Sequence, residues 1–172
     1  EVDEEMHLLY EVRSKTISQP GETSFLEKKK KKGETYKEAA IRETMEELSL
    51  SRDAIQILGE MDDIVNEHLV IRDLVGEVKD IQFNEEVDEV YTVPLNYFLT
   101  HEPVYYTANV KLEHEKGFPY ELIPGGEKYN WKQGKHAVPF YNLSNHTIWG
   151  LTANLTDRFA RLLKEYKREG EL

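Results

Sequence analysis

Residues 33–48 read GETYKEAAIRETMEEL, and the placing of charge in that stretch decides how the rest of the chain is read. At about 100° per residue, Ile41, Met45 and Leu48 fall on one helical face and Glu43, Glu46 and Glu47 roughly opposite, so Glu34 to Leu48 is expected to be an amphipathic helix. The three glutamates stand at i, i+3 and i+4 and project as neighbours. Carboxylates crowded in this way repel one another without a cation, and they offer the hard oxygen ligands that suit Mg²⁺ or Mn²⁺. Magnesium keeps waters and commonly shares its shell with substrate phosphates, which makes a diphosphate the natural partner. Plainer readings stand beside this one. The glutamates also fit a solvated acidic face, Glu34 a favourable place at the positive end of the helix dipole, and Arg42 a pairing with Glu38 one turn earlier.

Outward from the helix, the pattern changes to strands. His7 to Arg13 (HLLYEVR) is rich in Leu, Tyr and Val, and Pro20-Gly21 marks a turn after it. Glu27 and the five lysines Lys28 to Lys32 form a run of like charge that favours an exposed loop. Beyond the helix, strands are expected from Ala54 towards Gly59, over Leu69 to Val78, Val87 to Val93 and Val104 to Leu112, and around Ala137 to Tyr141. A helical turn is expected over Leu95 to Thr100. Thr147 to Tyr166 carries Ile148, Leu151, Leu155, Phe159 and Leu162 at helical spacing and reads as a second long amphipathic helix. With no repeat and no separating linker, residues 1–172 are expected to be one α/β (α+β) domain, a sheet covered by helices on both faces. The abrupt start at Glu1 to Met6 suggests that a native N-terminal segment is missing.

Composition narrows the function classes. At 172 residues with 39% hydrophobic content the chain has enough material for one core. A formal charge of −11 argues against a sequence-blind grip on nucleic acid, which needs a basic surface. No apolar run approaches the roughly 20 residues that span a bilayer, so no membrane partner is expected and a cytoplasmic location is the default. The absence of cysteine excludes disulfides, thiolate catalysis and zinc–sulfur sites. His68, His136 and His146 show no ligand spacing and read as ordinary surface or core residues.

The stretch that begins this reading resembles the Nudix box, whose pattern runs Gly, five residues, Glu, seven residues, then Arg-Glu-aliphatic-x-Glu-Glu-x-Gly-aliphatic. Glu34, Arg42, Glu43, Glu46, Glu47 and Leu50 fall into that register. The chain departs from it at Lys28, where the first glycine belongs, at Thr44 in the aliphatic place, and at Ser49, where the second glycine accommodates a turn. The likeness extends further, to the coenzyme A diphosphatase branch. It is carried by Leu8-Leu9, Arg13-Ser14, Ile17, Gly21-Glu22, Ser24-Phe25, Glu89 before Val93-Pro94-Leu95, Tyr129-Asn130-Trp131 and Ile148 to Ala153. Where the branch has Pro-Gly-Gly, this chain has Leu26-Glu27-Lys28, which lacks the backbone freedom of two glycines.

The resemblance implies a Nudix fold, a mixed β-sheet sandwiched between helices, and hydrolysis of a diphosphate in coenzyme A or an acyl-CoA with Mg²⁺ or Mn²⁺. Alternatives are another substrate such as ADP-ribose, or an impaired nucleotide-binding module. In that frame Glu43, Glu46 and Glu47 are the metal ligands, Arg42 orients them, and Glu34 supports the site. The base that takes the proton from water is Glu47 or an acidic residue among Glu85, Glu86 and Glu89, with Glu89 placed first. Arg13 and Arg72 are expected at phosphates or in surface ion pairs. Tyr129 and Trp131 are expected at an adenine or pantetheine path, or as ordinary packing aromatics, and Trp149 on a helix face in the core. A homodimer is compatible with the family.

Overall fold

The computed structural model describes residues 5–26, 30–65, 70–79 and 81–170. Lys28 and Lys29 of the lysine run, Glu27, His68 and Leu69 lie outside the described residues. The chain opens with β1 (His7–Arg13) and a two-residue β2 (Thr23–Ser24). The helix that carries the acidic pattern, α1 (Tyr36–Glu47), follows. Then come β3 (Ile55–Glu60), the short pair β4 (Ile64–Val65) and β5 (Val70–Ile71), β6 (Leu74–Val78) and β7 (Val87–Pro94). The last part runs α2 (Leu95–Thr100), β8 (Val104–Val110), β9 (Gly134–Asn142), β10 (Thr147–Trp149) and α3 (Gly150–Gly170).

Among the described residues every strand pairing is antiparallel. The sheets run β2-β1-β7, β10-β9-β8, β3-β6 and β4-β5. The α+β content is as the sequence leads one to expect. Alternation along β1 builds the layers, because successive side chains of a strand point to opposite faces. Leu9 packs with Val90 against Ile41, Leu48 and Leu50 of the α1 side. Leu8 and Tyr10 pack with Val93, Phe98, Tyr141 and Ile148 against Ala153 and Ala160 of α3. The sheet β2-β1-β7 thus lies between α1 and α3, which is the sandwich expected. Tyr10 is 1% exposed, and its hydroxyl is 3.0 Å from that of Thr156 on α3.

Three expectations need correction. The C-terminal helix begins at Gly150, and Thr147–Trp149 is a strand paired with Phe140, Tyr141 and Asn142. Gly150 at φ +61° makes the break, a conformation that glycine adopts at little cost. Trp149 is consequently on a strand and 42% exposed, which removes it from the core. The expected strand over 69–78 is divided at Arg72 and Asp73, and its halves pair with different partners, β5 with β4 and β6 with β3. Strand β8 is exposed along its whole length and pairs only with β9 among the described residues. No helix among the described residues is long and apolar enough to cross a membrane.

Candidate functional site

Thr35 begins α1. Its hydroxyl accepts from the Glu38 N–H at 3.2 Å, while the Glu38 carboxylate accepts from the Thr35 N–H at 2.8 Å. This reciprocal cap satisfies two backbone donors that the first helical turn leaves open. It also leaves Glu34 just ahead of the helix, where its carboxylate reaches Arg42.

Arg42 organises the acidic face. Its Nε donates to Glu34 Oε1 at 2.7 Å and its Nη2 to Glu34 Oε2 at 3.0 Å, a two-point grip that lysine cannot make. Its Nη1 donates to Glu43 and, at 3.4 Å, to Glu46. The pairing of Arg42 with Glu38 weighed from sequence is not the one formed, because Glu38 is engaged at the cap. The Arg42 guanidinium, joined by the Lys31 backbone N–H, holds the Glu34 carboxyl down at about 2 from an ordinary 4.5. Arg42 in turn is held above the usual guanidinium value, chiefly by Glu34 and then by Glu43.

Glu43 and Glu47 are buried, 5% and 4% exposed, one turn apart on α1, while Glu46 is exposed. A third buried carboxylate faces the same layer. Glu11 is 4% exposed and pairs across the sheet with Val90, which packs on the α1 side. It accepts from the Ser24 hydroxyl at 2.8 Å. Sequence reading missed Glu11, although a carboxylate in the middle of an otherwise apolar strand is a visible signal. Among the described residues no three His, Asp or Glu side chains are already gathered tightly enough to cage a cation. The donor set nevertheless fits one. Charged carboxylates taken from water need cations beside them, and oxygen donors at helical spacing suit magnesium or manganese.

The far end of α1 is fastened by the segment 82–86. The Asn84 side-chain amide donates to the Glu46 carbonyl at 2.8 Å, and backbone N–H groups of Asn84 and Gln82 donate to the carbonyls of Glu47 and Leu48. Helices leave their last carbonyls open, and this loop closes three of them. Asn84 was not anticipated, since a lone asparagine in a loop carries no distinguishing pattern. Ser49 adopts φ +50°, the left-handed conformation for which a glycine was expected. Leu50 N–H then returns to the Met45 carbonyl at 3.1 Å, the closing bond of a Schellman turn.

The remaining expected residues separate. Glu89 pairs across the sheet with Val12, on the face away from α1, and its carboxylate is 3.2 Å from His146 Nε2. It does not join the α1 carboxylates, because the register of β1 and β7 turns it to the α3 side. With His146 it lines a cleft of about 630 Å³, together with Glu22, Thr23, Phe140, Asn145 and Trp149. Arg13 is spent on its own loop, donating to the carbonyl and hydroxyl of Ser18. Arg72 lies 3.2 Å from Asp63 and over the ring of Tyr36 at 4.3 Å, in a second cleft of about 530 Å³ that includes Glu34. Tyr129 and Trp131 pack with one another, and Trp131 also with His114 and Phe118, all within the segment joining β8 to β9.

Comparison with known proteins fits this geometry. The chain is 24% identical over 155 residues to Nudix hydrolase 3 of Caenorhabditis elegans, an alignment covering 85% of this chain and 62% of that protein. The chain therefore spans about three fifths of the length of that relative. The NUDIX domain family model matches residues 3–121, from ahead of β1 to beyond β8, and includes α1 with its acidic face and the loop that closes it. That match covers well over half of the chain, which belongs to the Nudix family.

Proposed function

We propose that this chain hydrolyses the diphosphate linkage of a nucleoside diphosphate derivative, with coenzyme A or an acyl-CoA as the substrate class. The observation that carries the reading is the Arg42 grip on Glu34, Glu43 and Glu46, set beside the buried pair Glu43 and Glu47. Glu43, Glu46 and Glu47 would hold Mg²⁺ or Mn²⁺, which supplies charge neutralisation at the phosphoryl oxygens and a more acidic water. Arg42 fixes the carboxylates so that little reorganisation is needed as charge develops. Glu47 takes the proton of the attacking water, and its burial near the end of α1 keeps the acceptor oxygen in place. Arg72, which shares the second cleft with Glu34, Lys30 and Lys37, would meet a phosphate of the substrate. The coenzyme A preference rests on the likeness of Leu8-Leu9, Arg13-Ser14, Gly21-Glu22 and Ile148 to Ala153 to that branch.

The test is turnover of coenzyme A, ADP-ribose and dinucleoside polyphosphates with Mg²⁺ and with Mn²⁺, followed by product analysis. Release of 3′,5′-adenosine diphosphate and a phosphopantetheine product is expected. Coenzyme A as the poorest substrate would overturn the preference, and no turnover of any of them would overturn the activity. A nucleotide-binding module without turnover is the second reading, favoured by Leu26-Glu27-Lys28 in place of Pro-Gly-Gly. Saturable binding without products would select it.

A further inference from the structure

The sheet β10-β9-β8 ends in an open edge. Every residue of β8 is exposed, and on the side away from β9 its backbone meets no strand among the described residues. A strand so placed offers a row of hydrogen-bond donors and acceptors to another strand. Its exposed side chains are largely apolar. Val104, Tyr106 and Val110 stand on one face, where Tyr106 meets Phe140 edge-on at 5.4 Å. Tyr105 stands on the other, with its hydroxyl donating to Asp157 of α3 at 2.9 Å. The strand is thus held by β9 and α3 before any partner arrives.

The order of residues along this edge selects the occupant. Residues 104–110 read VYYTANV, with valine at both ends and Thr107 at the centre. A two-fold antiparallel pair must centre on a residue, because directly opposed side chains share one face of the sheet. Centred on Thr107, the pairing sets Val104 opposite the partner's Val110, Tyr105 opposite Asn109 and Tyr106 opposite Ala108. All seven residues are then matched, a large ring lies beside a small methyl, and two threonine hydroxyls meet at the axis. Centring on Tyr106 or Ala108 instead sets two residues of each strand beyond the partner strand's end. Charge favours the same match. The chain carries a formal −11, yet residues 103–110 hold no charge, so two copies meet here without opposing carboxylates. The first charges beyond the strand are opposite in sign, Glu102 before it and Lys111 after it. The Thr107-centred register places Lys111 opposite the partner's Pro103, one residue from the partner's Glu102, at both ends of the contact.

We propose that β8 is the contact surface of a two-fold dimer of this chain, joined edge to edge into a six-stranded sheet in the order β10-β9-β8-β8-β9-β10. The dimer goes beyond the proposed diphosphate hydrolysis and stands without it.

The chain has no cysteine, so single cysteines read the register directly. In this pairing the two Thr107 Cα atoms lie about 4.5–5.5 Å apart, inside the roughly 4.4–6.8 Å that a disulfide spans. The two Val110 Cα atoms are offset by six residues, about 20 Å along the strands. With oxidised glutathione, in about 1 M salt to screen the net charge, Thr107→Cys is expected to cross-link into a dimer and Val110→Cys to stay single. Sedimentation equilibrium of the wild type in the same salt should give twice the chain mass of 20.1 kDa. Thr107→Lys sets two ammonium groups face to face and should weaken the dimer at least about tenfold. Leu122→Lys adds the same charge at an exposed site away from the strand and should leave it within about threefold. The cysteine variants cover the case in which Thr107→Lys fails to fold. Cross-linking of Thr107→Cys no faster than that of Val110→Cys, a dimer indifferent to Thr107→Lys, or a wild type that stays at 20.1 kDa would each overturn the proposal.

Discussion

Replacing Ser49 with glycine tests whether the end of α1 is held in a strained turn. Ser49 has φ +50°, and a side chain in the left-handed region costs about 1–2 kcal/mol. Glycine removes that cost but gives the unfolded chain more freedom, which takes back about 0.5–1 kcal/mol. The net expectation is stabilisation of about 0.5–1 kcal/mol, a rise in Tm of about 1–4 °C for a domain of this size. Ser49 is exposed, so little packing is lost in the exchange. Thermal unfolding followed by circular dichroism reads the change, with Ser49→Ala as the control that keeps a Cβ at the same φ. The control should lie within about 0.5 kcal/mol of the wild type, as surface changes generally do. A glycine variant that melts at or below the wild-type temperature would refute the strain argument and leave the Leu50 to Met45 bond as an incidental contact.

Asn84→Ala removes the amide bond to the Glu46 carbonyl and the side-chain oxygen that accepts from Glu86 N–H at 2.9 Å. Stability should fall by about 1–2 kcal/mol in denaturant titrations, as expected for the loss of two modest hydrogen bonds, and an unchanged midpoint would deny the loop its fastening role. Glu47→Gln keeps the shape of the buried side chain and removes its basicity; in the proposed reaction kcat should drop by about 10²- to 10⁴-fold, and a loss under threefold would exclude Glu47 as the base. Acid titration of unfolding should show Glu34. Its folded pKa lies at about 2, below the ordinary 4.5, so its contribution is complete above about 4.5 and is lost as pH falls towards 2. Glu34→Gln should flatten the stability profile over that window, and an identical acid limb in both proteins would show that the grip adds nothing to folding.

The acidic face was legible because it is local. Arg42, Glu43, Glu46 and Glu47 stand at fixed offsets on one helix, and Glu34, just ahead of its Thr35 cap, is brought to them by Arg42. Strand β1 was legible to the residue for the same reason, since its run of Leu, Tyr and Val stands out locally and is followed by a polar turn. The cleft was not. Its walls come from residues near 22, 89, 140, 146 and 149, which meet only when β1, β7, β9 and β10 have taken their registers. Glu89 shows the difficulty in a single residue. Its distance along the chain from Glu85 and Glu86 is small, yet the pairing of Glu89 with Val12 decides which face of the sheet receives its carboxylate. Trp149 was misread because helical spacing from Ile148 onward continues smoothly through the strand, and only the positive φ of Gly150 interrupts it.

Strand β8 has a bearing on colloidal behaviour. Its seven residues, VYYTANV, carry no charge and are exposed throughout, on an edge whose outer backbone groups have no strand beside them among the described residues. Proteins commonly protect such an edge with a lysine, a proline or a bulge. Here the barrier to edge-to-edge contact is remote, the mutual repulsion of chains that each carry a formal charge of −11. That repulsion reaches about 10 Å at 0.1 M salt and only about 3 Å at 1 M. Raising the ionic strength therefore removes the protection without touching the edge, so salt should drive this protein towards self-association, where a protein with a guarded edge would merely lose its long-range field.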